Sequence, residues 1–139
     1  MSQSLTLTTA QKQLKHILVV EDYVALRFTL AEWLRALNYI VFEAASADEA
    51  VILLESTLVV DLVVTDVQMP GKMDGFDLVH HLHTCFPSLH VIVVSANDFH
   101  KKLKEKNIPF FRKPYNLDIV SSHIAKLLDD SNPQNEPSK

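Results

Sequence analysis

The chain has 139 residues, 47% of them hydrophobic and 22% charged, with a formal net charge of −4, which suits one soluble domain with a sizeable core. So mild an acidity argues against a general nucleic-acid or membrane binder. A single cysteine, Cys85, no signal-like stretch between Met1 and His16, and no apolar run of roughly 18 residues make the cytoplasm the expected location.

Residues 1–14, rich in Ser, Thr and Gln, and the polar, proline-bearing residues 130–139 are expected to be tails, leaving 15–129 as the domain. Ile17–Val20 reads as a first strand that runs into two acids. Leu26, Leu30, Trp33, Leu34 and Leu37 then recur at helical spacing, with Trp33 a core residue. Tyr39–Phe42 reads as a second strand. A capping box from Ser46 to Glu49 opens a helix carrying Ala50, Leu53 and Leu54. Leu62–Thr65 is a third strand with Asp66 at its carboxyl end. A turn from Met69 to Gly75 leads to a helix with Leu78, Val79 and Leu82. Val91–Val94 is a fourth strand ending at Ser95. A polar helix over about Asp98–Lys106 precedes a fifth strand at Pro109–Arg112. Asn116 caps a last helix whose face carries Leu117, Val120, Ile124, Leu127 and Leu128.

Five β/α units in alternation predict a doubly wound α/β fold, a parallel sheet with helices on both faces. Its strands are continuously apolar, as strands buried on both faces should be. In such a fold ligands sit beyond the carboxyl ends of the strands. Glu21, Asp22, Asp66, Ser95 and Lys113 all fall there. Carboxylates crowded together repel one another, and a hard cation relieves that cost. Oxygen ligands without neighbouring Cys or His favour Mg²⁺ over zinc. Lys113 supplies a point charge and Ser95 a hydroxyl, both suited to phosphoryl oxygens.

These blocks resemble the response-regulator receivers: Ile17-Leu18-Val19-Val20-Glu21-Asp22, Asp66-Val67-Gln68-Met69-Pro70, Val94-Ser95-Ala96 and Arg112-Lys113-Pro114-Tyr115, in family order over roughly residues 15 to 128. The resemblance implies a flavodoxin-like (βα)5 sandwich with five parallel strands in the order 2-1-3-4-5. It implies that Asp66 is the phosphoacceptor, taking a phosphoryl group from a phospho-histidine donor. Asp22, Asp66 and the backbone carbonyl of Gln68 would bind Mg²⁺, with Glu21 holding metal-bound water. Lys113 and Ser95 would bind the transferred phosphoryl group. Ser95 would also act in a switch with Phe110, and Gln68 and Asn97 would flank the path of a hydrolytic water. The implied partners are a sensor histidine kinase or histidine phosphotransfer protein and a downstream protein, with no nucleic acid or membrane. Because only a tail follows Leu128, the expectation is a stand-alone receiver. Relay, output docking and phosphate sink stay open as its role.

The turn after Asp66 carries Gly71-Lys72, one residue more than the commonest family pattern, and the segment from Ser95 to Lys113 is short, which predicts an abbreviated fourth helix. The lysines at 101, 102, 104 and 106 read equally well as a docking face or as a solvated helix. Arg27 stands where the family is often basic, and both an exposed and a functional role are open. His80, His81, His83 and Cys85 hint at a metal site, but Leu78, Val79 and Leu82 claim the buried face and leave the histidines to solvent. The alternative function is a phosphatase-type enzyme on a similar sheet. Such enzymes place an acid two residues after the aspartate, where this chain has Gln68, which cannot titrate.

Overall fold

The structure, a computed structural model, describes residues 14–56 and 58–129. The expected tails therefore lie outside the described residues, except for Leu14, which is exposed. The elements run β1 His16–Val20, α1 Val24–Ala36, β2 Ile40–Ala44, α2 Ala47–Leu54, β3 Leu62–Asp66, α3 Gly75–Cys85, β4 His90–Ser95, α4 His100–Lys104, β5 Phe110–Arg112 and α5 Leu117–Leu128. All strand pairings are parallel, in the order β2-β1-β3-β4-β5. The parallel sheet is the one read from the alternation of elements, and its strand order is the one the family resemblance implies.

The strand residues point alternately to two cores. Ile17, Val19, Leu62, Val64, Ile92 and Val94 face α1 and α5, where they meet Leu30, Ala31, Leu34, Val120 and Ile124. Leu18, Val20, Val63, Val91 and Val93 face the other side, against α2, α3 and α4. Each fully buried aliphatic side chain contributes roughly 1.5–3 kcal/mol. Both faces are thus covered, which is why the strands show no polar alternation.

Two helix ends shift the predicted boundaries. Asn38 takes φ 74°, and the Tyr39 N–H donates to the Leu34 carbonyl at 3.2 Å. Tyr39 is thereby used in closing α1, and β2 starts at Ile40 rather than Tyr39. Asn107, with φ 59°, ends α4 in the same way, the Ile108 N–H donating to the Leu103 carbonyl at 3.0 Å. The fourth helix is indeed short. Leu26 and Leu37, read as part of the apolar stripe of α1, are exposed. Leu37 is the C-cap of the helix, and Leu26 lies in its first turn, facing a groove with Pro114 and Leu117 rather than a strand.

Candidate functional site

The carboxyl edge of the sheet is assembled by continuing its ladders one residue beyond the strands. Glu21 N–H donates to the Ala44 carbonyl at 3.0 Å, and Lys113 N–H to the Ser95 carbonyl at 2.8 Å. Asp66 is the last residue of β3, and its Oδ1 accepts the Val67 N–H at 2.7 Å. The five residues picked out by sequence arrive at this edge together. Lys113 Nζ bridges Glu21 Oε1 at 2.7 Å and Asp66 Oδ2 at 2.9 Å. Glu21 and Asp66 are only 5% and 6% exposed and Ser95 is fully buried, while Asp22 is open to solvent. Ser95 Oγ accepts the Asn97 N–H at 3.2 Å. Gln68 and Asn97 are exposed on the turns that follow Asp66 and Ser95. Phe110 is half-buried, its ring edge-on to Phe99 at 6.5 Å.

Carboxylate oxygens of Glu21, Asp22 and Asp66 lie within 4.8 Å of one another. An all-oxygen set with one open member suits a hard divalent cation that keeps part of its water shell. Electrostatics point the same way. Burial pushes the Glu21 carboxyl above its usual range, with the hydrogen bond from Lys113 opposing and the Asp66 charge adding to the rise. Burial also pulls Lys113 down, but its hydrogen bonds to Glu21 and Asp66 outweigh this and hold the ammonium above its ordinary value. One lysine thus offsets part of the charge of three acids, and a cation placed beside Asp22 would offset more.

Two residues that sequence reasoning passed over or left undecided help to build the site. Gly75 opens α3, and its N–H donates to the Val67 carbonyl at 2.7 Å. A Cβ there would collide with the Asp66 carbonyl oxygen and the Val67 Cα, so only glycine lets α3 approach the end of β3. Arg27 donates from Nη1 to the Glu21 carbonyl at 2.9 Å and from Nε to Glu43 Oε1 at 3.1 Å. It pins the acidic turn after β1 to β2, a role neither exposed nor catalytic. The signal for Gly75 was there in sequence: a glycine directly after a helix-capping aspartate, in a chain with only two glycines.

The histidines of α3 divide. His80 and His83 are exposed, as expected, but His81 is half-buried, with Nε2 at 3.7 Å from Glu55 Oε2 and Nδ1 at 4.0 Å from Cys85 Sγ. The ring leans on Phe86 across the end of α2 instead of facing solvent. Among the described residues, the only cluster of three or more potential ligands close enough to share a metal ion is the acidic one.

The profile of the response regulator receiver domain matches residues 17–124. A cyclic di-GMP phosphodiesterase of Thermotoga maritima is 34% identical over 116 residues, covering 81% of this chain and 30% of that protein. The sensor kinase CckA of Brucella abortus is 33% identical over 120 residues, covering 81% of this chain and 12% of that protein. The chain thus spans less than a third of these curated relatives. Among solved structures, the response regulator protein TrrA of Thermotoga maritima, in complex with Mg²⁺ and BeF, superposes with a TM-score of 0.75 at 26% identity, over 82% of this chain and 99% of that one.

Proposed function

The chain belongs to the response regulator receiver domain family of two-component signalling, and on that premise we propose that it is a phosphoacceptor switch with Asp66 as its acceptor. Receiver domains interact with histidine kinases and downstream effectors, and they are phosphoacceptors rather than catalysts in general. For this chain, the donor is a phospho-histidine of a sensor kinase or a phosphotransfer protein. An Asp66 carboxylate oxygen attacks phosphorus, and a P–O bond forms as the P–N bond to the donor imidazole breaks. The imidazole leaves with the bonding electron pair and takes up a proton. Such a transfer needs positioning and charge neutralisation more than covalent help.

The observation that carries this reading is the bridge from Lys113 Nζ to both Asp66 and Glu21, which places an ammonium beside the attacking carboxylate. That carboxylate is buried and keyed by the Val67 N–H, so its orientation is set before a donor arrives. Asp22, Asp66 and the carbonyl of Gln68 would hold Mg²⁺, with Glu21 orienting its water; the metal supplies neutralisation of charge on the phosphoryl oxygens. After transfer, Lys113 exchanges a carboxylate partner for a phosphoryl oxygen, and the Ser95 hydroxyl donates to another. Phe110, already packed toward the core, fills the space that Ser95 leaves. Acetyl phosphate should leave a base-labile, acid-stable label on the protein, and Asp66→Asn should abolish it. Full labelling of that variant would remove Asp66 from the role.

A further inference from the structure

Asp48 lies in the first turn of α2, far in sequence from the residues assigned above, yet its carboxylate reaches the turn after Asp66. Its Oδ2 accepts the Lys72 N–H at 3.1 Å. Gly71, with φ 111°, packs directly on this carboxylate, and a Cβ at position 71 would collide with it. Glycine is therefore needed at 71 both for its backbone conformation and for the close approach of Asp48. The turn is held at its base by Gly75 N–H on the Val67 carbonyl and along its side by Met69 and Met73 against the core. Asp48 holds its tip.

We propose that Asp48 is a positioning residue for the phosphoacceptor site. By latching Gly71-Lys72 onto α2, it presets the backbone at Gln68, whose carbonyl is the third metal ligand in the function proposed above and on which this inference rests. A longer turn has more conformations to lose when it closes on a cation, and a latch at its tip removes many of them beforehand. Asp48 touches neither metal nor phosphoryl group. It acts through the turn.

The test compares wild type with Asp48→Ala and Asp48→Asn. Mg²⁺ affinity is read from the midpoint of the melting-temperature rise, and the turn itself from tryptic cleavage after Lys72 in metal-free protein. Asp48→Ala should weaken Mg²⁺ about fivefold, the worth of one net hydrogen bond, and speed cleavage after Lys72. Asp48→Asn keeps an oxygen that accepts the Lys72 N–H and should bring both readouts back close to wild type. Equal weakening of Mg²⁺ in both variants would mean that the carboxylate charge acts at a distance, and would overturn the proposal. So would an Asp48→Ala protein that melts lower but keeps wild-type Mg²⁺ affinity and cleavage rate, since Asp48 would then be merely structural. If wild type took no label from acetyl phosphate while Mg²⁺ affinity still depended on Asp48 in this way, the phosphoacceptor reading would fail and the latch would stand.

Discussion

Asp22 is the exposed member of an otherwise buried acidic group, so it is the carboxylate a solvated cation meets first. With a dissociation constant on the order of 1 mM, about 10 mM Mg²⁺ should stabilise the fold by roughly 1.4 kcal/mol. Asp22→Asn should largely abolish that gain, both by deleting a ligand and by easing the repulsion that the cation relieves. A melting response to Mg²⁺ equal to that of wild type would locate the metal elsewhere. In the function proposed above, Gln68 and Asn97 would act on the opposite step, the loss of the phosphoryl group. Both are exposed amides that would stand beside the path of a water in line with Asp66, and neither can serve as a base. The acyl phosphate should therefore last on the order of minutes or longer. Substituting either side chain should change its decay while Mg²⁺ affinity stays near wild type, because Gln68 would hold the metal by its backbone. Decay indifferent to both would pass control of the water to the Gly71-Lys72 turn. Glu21, Asp22, Asp66 and Ser95 were legible as candidates in sequence because each stands at or just past the end of an apolar run, whereas Gln68 and Asn97 followed only from the family resemblance. What Arg27 does was not legible, since it is set by groups brought near only in the folded chain, and Gly75 carried a signal in sequence that did not say what it would pack against.

At the scale of elements, the long helices announced themselves through apolar stripes, and α4 did not. Five residues are too few for a helix to hold itself in water. What holds α4 is tertiary: Leu103 at 1% exposure, and Phe99 edge-on to Phe76 with ring centres 4.9 Å apart. Lys102 Nζ adds a contact over the Phe76 ring at 3.9 Å from its centre. A row of rings from Phe76 through Phe99 to Phe110 thus ties the start of α3 to α4 and β5. Leu103→Ala should cost about 3 kcal/mol, with amide exchange rising first across residues 100–107. Uniform acceleration over the whole sheet would mean that α4 unfolds only with the rest. The sequence held the reason that α4 is short, a brief interval between Ser95 and Lys113. It did not hold the position of its end, which depends on Asn107 entering the left-handed region.

For the molecule as a whole, the order of elements was readable because each apolar run is separated from the next by a helical pattern. The response to pH was not, because it depends on which histidines the packing buries. His90 is held below its ordinary value of 6.5 chiefly by burial, with Lys15 lowering it further and Asp61 opposing. His123, edge-on to Phe111, is held below 6.5 by burial and then by Lys126. In both, folding favours the neutral ring. Above their ordinary value both rings are neutral in the folded and unfolded chain, and the stability they contribute is fully present. As the pH falls below 6.5 the unfolded chain takes up protons first, so stability declines until the lower folded values are passed. Glu21 works in the opposite sense: its raised carboxyl binds a proton more readily when folded, adding stability as the pH falls toward 4.5. Both rings keep some contact with water, which tempers the effect. The urea midpoint of metal-free protein should therefore fall between about pH 7.5 and about pH 5.5. Replacing His90 and His123 together with glutamine should flatten that fall, whatever it does to the midpoint at neutral pH. An undiminished slope in the double variant would assign the acid response to other groups.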